Sequence, residues 1–399
     1  MFNKLTLKEV DPSEQRVFIR VDFNVPLDAK GTVADDSRIK ATLPTIDYCQ
    51  QRGARIVLAS HLGRPKRKVV PQLSLKPVAE RLSHLLGKKV IMAPDCIGPS
   101  VEELIDGLEE GGILLLENLR FHPGEELNDP HFSQQLAGQC ELYINDAFGV
   151  AHRSHASTVG ITKFIPRAVA GFLLGKEVEQ LSRILSHLQR PLTAIIGGDK
   201  VSTKFDLMEI FMNLVDDLLL CGGMVFTFLL AQGISVGNSL IEEDKVDAAG
   251  GILQQAQQKG RRILFPSDFV VAESLSPKSL TRVVLREEIP AGWMGVDIGP
   301  RSIEEFSRVI KASRMVVWNG PPGVFEIEPF AEGTLAVAHS LAENRGTTIV
   351  AGGATVAAVH KAGVGDKITH ISTGGGACLE LLAGKSLPGI EALNNKSRG

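Results

Sequence analysis

Short β-branched and aliphatic runs alternate with longer stretches of helical periodicity along almost the whole chain. Residues 17–23 read as a buried strand, 39–52 as the helix that follows and 56–60 as the next strand. Further strands are predicted at 113–116, 142–144, 193–196, 218–220, 262–265, 315–318, 348–350 and 369–372. Strands that alternate with helices build parallel sheets with helices on their faces.

In open parallel sheets ligands bind beyond the carboxyl ends of the strands, so the residues after each strand are the informative ones. The first-half segments are RVDFNVP, SHLGRPK, ENLRFHPGEE and NDAFGVAHRSH, rich in Arg, His and Asn. The second-half segments are IIGGDK, CGGM, WNGPPGVFE, AGGAT and STGGGA, built on glycine. Only 14 of the 40 glycines precede residue 185, which supports a boundary near there. Expected domains are 1–173 and 190–385, joined by a linking helix over 174–189. No repeat of fixed period interrupts this plan.

A length of 399 residues exceeds what one core usually supports, so two domains are also the expectation from size. With 44% hydrophobic and 22% charged residues and a net charge of −3, the chain is neither disordered nor a nucleic-acid coat. Any anion site must therefore be local. The start MFNKLTLKEV lacks a basic-then-apolar signal and no apolar run reaches the ~20 residues of a membrane span, so a cytosolic protein is expected. Cys49, Cys96, Cys140, Cys221 and Cys378 are odd in number, widely spaced and without a C-x-x-C pair, which argues against a disulfide framework or a zinc site.

A strand that runs into Gly-Gly and then a helix lets backbone N–H groups and the positive helix end approach a phosphate. One such turn means little, because tight turns need glycine anyway; several in one domain mean more. The Gly384-Lys385-Ser386 triplet resembles the end of a P-loop, but Leu379 stands where that pattern needs glycine. A G-x-G-x-x-G run opening the first helix is absent, which weakens a nicotinamide dehydrogenase. Lys200 and Lys204 place cations beside one glycine turn, suited to charge that develops on a transferring phosphoryl group. Glu326 would accept hydrogen bonds from ribose hydroxyls. In the first half, Arg20, Arg38, Arg64, Arg120 and Arg153 each lie near the end of a strand or the start of the next helix, with Asp22, Asn24, His61 and His152. Arginine's planar fork suits bidentate binding of phosphate and carboxylate. His61, His152 and His155 lack companions at metal-ligand spacing, and His122 reads as a capping or packing residue.

Together these segments resemble the phosphoglycerate kinase family. RVDFNVP, DSRI, SHLGRP, ENLRFHPGEE, NDAFGVAHRSH, GWMGVDIGP, WNGPPGVFE and STGGGACLELL stand in the family's order with family-like spacing over essentially the whole chain. The resemblance implies two Rossmann-like α/β domains, each a parallel β-sheet covered by helices, around a central cleft with a hinge helix. It implies 3-phosphoglycerate in the first domain, ATP or ADP with Mg²⁺ in the second, and a tail, 386–399, that packs back on the first. Asp22, Asn24, Arg38, His61, Arg64, Arg120 and Arg153 would bind phosphoglycerate. Arg38 and Lys200 would stabilise the phosphoryl group in transfer, and the Thr373-Gly374-Gly375-Gly376 loop would donate backbone hydrogen bonds to it. Gly198, Lys204, Gly222, Gly223, Asn319, Glu326, Gly352, Gly353 and Thr355 would hold the nucleotide. The activity implied is reversible phosphoryl transfer between ATP and 3-phosphoglycerate by a monomer with no nucleic-acid or membrane partner.

Two loops depart from the family's pattern. Its Gly-Gly-Gly-Asp-Ser/Thr loop, whose aspartate helps hold magnesium, is here Ala351-Gly352-Gly353-Ala354-Thr355. Its Gly-Gly-Ala-Lys loop is here Gly197-Gly198-Asp199-Lys200. One acid is lost and one gained, so Asp199 is a candidate substitute for the acid missing at Ala354. The competing reading is a catalytically impaired homologue that still binds phosphoglycerate or nucleotide.

Overall fold

The structure, a computed structural model, describes residues 3–396. The expected spans 1–173 and 386–399 include positions 1, 2 and 397–399, which lie outside the described residues. The chain divides into two compact units, one of residues 3–182 with 384–396 and one of Arg183–Ala383. The division falls inside a helix, Phe172–Ser186.

The first unit is built on a six-stranded sheet of β1 (Arg16–Arg20), β2 (Arg55–Ala59), β3 (Ile91–Met92), β4 (Ile113–Leu115), β5 (Leu142–Asn145) and β6 (Ala168–Ala170). Its order is β3-β4-β2-β1-β5-β6 and every pairing is parallel. Helices on both faces bury the strands on both sides, which is why the strands read as continuous apolar runs rather than alternating ones. Val17, Ile19, Ile56, Leu58, Ile113 and Ile144 form one face of that core. The chain runs from β1 towards β2 and returns to β1's other side at β5. This reversal opens a crevice at the carboxyl ends of β1 and β5, the place where such sheets bind ligands.

The tail joins this unit. Lys4 and Asn395 form an antiparallel bridge, the Asn394 amide donates to Ala168 O at 2.9 Å, and Asn145 Nδ2 donates to Gly389 O at 3.1 Å.

The second unit repeats the plan. Strands β7 (Leu192–Ile196), β8 (Asp217–Leu220) and β9 (Arg262–Leu264) run to one side, and β13 (Met315–Asn319), β14 (Thr347–Ala351) and β15 (His370–Ser372) to the other. The order β15-β14-β13-β7-β8-β9 puts the reversal between β7 and β13. Their trailing segments are IIGGDK and WNGPPGVFE. Ile195, Leu219, Val316, Trp318 and Val350 anchor the core.

Sequence patterning missed the short β3 and β6 and a separate antiparallel sheet. That sheet has β10 (Asp268–Ala272) at its centre, flanked by β11 (Thr281–Leu285) and β12 (Met294–Ile298). It has no helix between strands, so it lacks the alternation that marked the others. Leu280 and Val283 are more than half exposed, so the apolar pattern there does not report a core.

Cys49, Cys96, Cys221 and Cys378 are buried, Cys140 is half-buried, and all five are free thiols. No helix among the described residues is long and apolar enough to cross a membrane.

Candidate functional sites

At the crevice of the first unit, Arg20 ends β1 with only 1% of its surface exposed. Its Nε donates to Ser157 Oγ at 2.8 Å, Nη1 donates to Val21 O, and Nη2 lies 3.9 Å from Glu125 Oε1. Glu125, fully buried, also accepts from the Ser157 amide and hydroxyl at 3.0 and 2.6 Å. Burial pushes its carboxyl up, but His155, Arg20 and Ser157 outweigh that and hold it below the usual carboxylate range. Arg20 is thus neutralised from beneath and serves as a foundation, whereas its sequence context grouped it with the ligand-facing arginines.

On this foundation lies a polar layer. Arg38 Nη1 donates to Asp22 Oδ2 at 2.8 Å, the Asn24 amide donates to Asp22 Oδ1 at 3.2 Å, and Gly63 N donates to Asn24 Oδ1 at 2.8 Å. Arg120 Nη1 donates to Gly63 O at 2.7 Å, and His61 Nδ1 lies 4.0 Å from Asp22 Oδ1. Asp22, Asn24, Arg38, His61 and Arg120 are therefore brought together through the loops after β1, β2 and β4. Arg64 and Arg153 are exposed, with no guanidinium ion pair or hydrogen bond among the described residues. Arg64 follows Gly63 directly, and Arg153 is close enough to Arg120 to oppose its charge.

Burial, then the neighbouring charge of Arg20, lowers Arg120 to about 10, which leaves it charged at neutral pH. Burial and the arginines Arg20, Arg120 and Arg38 hold His61 well below its ordinary value. His152 is lowered to about 4 by burial, then Arg153 and His155. The positive charge here is carried by arginine, and these two histidines are neutral hydrogen-bonding groups. His152 Nδ1, His155 Nδ1 and Arg120 Nε are buried without a hydrogen-bond partner. Arg120 Nε still has Glu126 Oε1 at 3.6 Å and His155 Nδ1 has Glu125 Oε1 at 3.7 Å, so His152 Nδ1 is the group that a ligand or water would complete.

In the second unit five glycine-bearing turns converge. Gly197 N donates to Asn319 O at 2.9 Å, which locks the turn after β7 to the one after β13. The turn after β8 closes on the same place: Gly222 has φ +73°, and a β-carbon there would lie 2.6 Å from Gly198 N. Only glycine permits both the dihedral and the contact. Asn319, buried, accepts from Lys204 Nζ and donates to Ala351 O at 2.6 Å. Thr355 Oγ1 accepts from Gly320 N at 2.8 Å. A β-carbon on Gly375 would lie 3.1 Å from Gly352 Cα, so the turns after β14 and β15 also touch.

Three helices start at this focus, Met224–Ala231, Gly353–Lys361 and Gly375–Leu382, whose first N–H groups suit an anion. Beside them is a pocket of about 510 Å³ whose lining includes Gly198, Asp199, Gly223, Pro321, Glu326 and Ala354. Lys200 is exposed and unpaired among the described residues. Burial lowers the Lys204 ammonium, and Asp199 partly restores it. Gly376 is exposed, while Gly353 has nothing within 4 Å of the direction a side chain would take.

Two acids escaped sequence reasoning. Asp297 is 3% exposed at the pocket wall, accepting from Gly333 N at 2.7 Å and Ile298 N at 2.9 Å, and burial raises it to about 7. Glu125 is the other. Both sit within motifs already singled out, GWMGVDIGP and ENLRFHPGEE, but nothing in their spacing separates a buried acid from an exposed one.

The phosphoglycerate kinase family profile matches residues 7–385. Cytosolic phosphoglycerate kinase 3 of Arabidopsis thaliana is 54% identical over 392 residues, 98% of each chain. The phosphoglycerate kinase of Gloeothece citriformis is 53% identical, covering 97% of this chain and 98% of its own. Among solved structures, phosphoglycerate kinase from Pyrococcus horikoshii superposes with a TM-score of 0.84 at 32% identity, and that from Coxiella burnetii with 0.78 at 39%, each over 98% of both chains.

Proposed function

The chain belongs to the phosphoglycerate kinase family, and from that premise we propose how its two sites divide the reaction. It is a phosphotransferase with a carboxyl group as acceptor: reversible transfer between ATP and 3-phosphoglycerate gives ADP and 1,3-bisphosphoglycerate in glycolysis and gluconeogenesis. Its relatives support the active enzyme rather than an impaired homologue.

In our assignment Asp22, Asn24, Arg38, His61, Arg64, Arg120 and Arg153 hold 3-phosphoglycerate. The observation that carries this is the crevice of charged arginines beside His152, whose Nδ1 is buried without a hydrogen-bond partner, with Arg120 and His155 reaching only glutamates at 3.6 and 3.7 Å. The exposed Arg64 and Arg153 are free to take phosphate oxygens, while Arg38 faces the carboxylate to be phosphorylated. Gly198, Lys204, Gly222, Gly223, Asn319, Glu326, Gly352, Gly353 and Thr355 hold the nucleotide. The Gly375–Gly376 helix start and Lys200 meet the charge of the group in transfer.

This division needs no general base. The acceptor carboxylate is ionised at neutral pH, and in-line transfer calls for alignment, charge neutralisation and exclusion of water. Since transfer requires the two ligands to meet, we assign hinge bending to the helix Phe172–Ser186, within which the boundary between the units falls.

Mg²⁺ fits the nucleotide pocket's donor set. It prefers near-octahedral oxygen ligands, one or two from carboxylates and the rest from phosphates and water. Ala354 offers no side-chain oxygen, and Asp297 is buried with both oxygens engaged by amides. Asp199 is exposed at the same pocket wall as Ala354, so Asp199 would hold the ion. The ion, when bound, neutralises charge on the nucleotide phosphates. We further assign a monomer and a cytoplasmic location, the location alone supported by the cytosolic plant relatives; chloroplastic relatives also exist.

The test is ADP affinity with and without Mg²⁺ for wild type and Asp199→Ala. We expect the substitution to abolish most of the gain that Mg²⁺ brings; an unchanged gain would remove Asp199 from the site.

A further inference from the structure

The crevice between β1 and β5 accounts for one part of the first unit's carboxyl edge. A second constellation lies further along it, after the adjacent parallel strands β3 and β4. Asp95 and Cys96 follow β3, and His122 follows β4 and the turn Leu119–Phe121. Their carboxylate oxygen, Sγ and imidazole nitrogen all lie within 4.8 Å of one another. We propose that Asp95, Cys96 and His122 form a binding site for a zinc-class divalent ion, with water as the fourth ligand.

The placement is specific. His122 Nε2 lies 2.5 Å from Asp95 Oδ1, and the imidazole ring is stacked on Phe132 at 4.9 Å between centroids, which fixes its plane with Nε2 towards the acid. Cys96 is fully buried beneath them, and its amide donates to Asp95 Oδ1 at 2.7 Å. Its thiol donates to Glu117 O at 2.9 Å. Glu117's own carboxylate is occupied by Ser74 Oγ and the Leu75 and Asn118 amides, so it supplies negative potential rather than a ligand.

The donor set selects the ion. One sulfur, one imidazole nitrogen and one carboxylate oxygen suit a borderline-soft ion in tetrahedral geometry; magnesium and calcium take oxygen alone. Zinc–nitrogen and zinc–oxygen bonds near 2 Å require the Nε2 and Oδ1 atoms to stand roughly 3.3 Å apart in a tetrahedron. The ion replaces the hydrogen bond between them, and the pair must open by under ~1 Å. Asp95 and His122 can do so, with side chains 51% and 25% exposed. Cys96 gives its thiol proton to solvent and binds as thiolate, while His122 binds through a neutral nitrogen. The offset of 26 positions from Cys96 to His122 matches no zinc-motif spacing, which is why the sequence argued against such a site.

Cobalt(II) is the probe, because it gives a thiolate-to-metal charge-transfer band and the visible bands of a four-coordinate ion. Titration of the full chain is expected to give both at one equivalent, with zinc displacing the cobalt. Cys96→Ser is expected to remove the charge-transfer band and Cys140→Ser to leave it. His122→Gln, at a partly exposed position, is expected to weaken cobalt binding at least about tenfold, since even supporting residues cost that much. Zinc X-ray absorption on the wild-type protein avoids any folding effect and should show one sulfur with nitrogen and oxygen. No charge-transfer band, a band that survives Cys96→Ser, undiminished affinity in His122→Gln, or a sulfur-free zinc shell would each overturn the site.

Discussion

Asp22 Oδ2 accepts a 2.8 Å hydrogen bond from Arg38 Nη1, which ties the loop after β1 to the first turn of the helix Ser37–Gln50. The guanidinium is held by one nitrogen while its side chain stays 24% exposed, and its remaining donors have no protein acceptor among the described residues. An arginine used this way is positioned before any ligand arrives.

Arg38→Ala should therefore lower kcat by about 10²- to 10³-fold, the usual cost of removing a preorganised donor from a developing charge. ADP affinity should be unchanged, because the nucleotide-binding residues we assign are all on the other unit. Asp22→Asn, which keeps a hydrogen-bond acceptor but loses its charge, should cost less. Steady-state kinetics beside ADP titration read both effects; a loss of ADP binding in Arg38→Ala would contradict the division of labour.

Gly222, in the turn after β8, and Gly233, just past the helix Met224–Ala231, separate two costs that glycine substitutions usually mix. Gly233→Ala, at φ +78° with nothing within 4 Å, pays only the left-handed dihedral, about 1–2 kcal/mol. Gly222→Ala, at φ +73°, adds a backbone contact at 2.6 Å and should cost more. Urea unfolding compares the two, and ADP affinity should fall for Gly222→Ala alone.

Half-buried His152 and buried Asp297 give pH dependences of opposite sign. His152 is lowered to about 4 against an ordinary 6.5, so between those values the unfolded chain binds protons that the folded chain does not. Its contribution to stability is present above pH 6.5 and lost as pH falls towards 4. Asp297 is raised from 3.8 to about 7, so its contribution is present below 3.8 and lost as pH rises towards 7. Unfolding midpoints across pH 4 to 7 should show His152→Gln gaining on wild type towards acid and Asp297→Asn gaining towards neutrality. Curves parallel to wild type in both variants would contradict these assignments.

How far the sequence reaches is visible in these same residues. The longer parallel strands were legible because burial on both faces demands unbroken apolar runs, and the polar or glycine residues after them mark the carboxyl edge; the two- and three-residue β3 and β6 are too short to show such a run. The antiparallel sheet was not, because β11 is largely exposed and joins its neighbour without a helix. In sequence Arg20, ending a strand, and Arg38, at the start of the next helix, belong to one arginine-rich group. What distinguishes them is Glu125, more than 100 positions away from Arg20 in sequence, which turns one arginine into a buried support. Long-range pairing of that kind leaves no local spacing. The same limit hid Cys96 and His122, brought together by adjacent strands rather than by a motif.

The central claim is that both half-sites are competent although Ala354 stands where the family has an aspartate, with Asp199 proposed in its place. Turnover in a coupled assay with MgATP and 3-phosphoglycerate, alongside binding of each ligand, tests it most directly. We predict sustained turnover by the wild-type chain and a fall of at least about 10²-fold in kcat for Lys200→Met, with both ligands still bound. Binding of both ligands by the wild type without phosphoryl transfer would contradict the account.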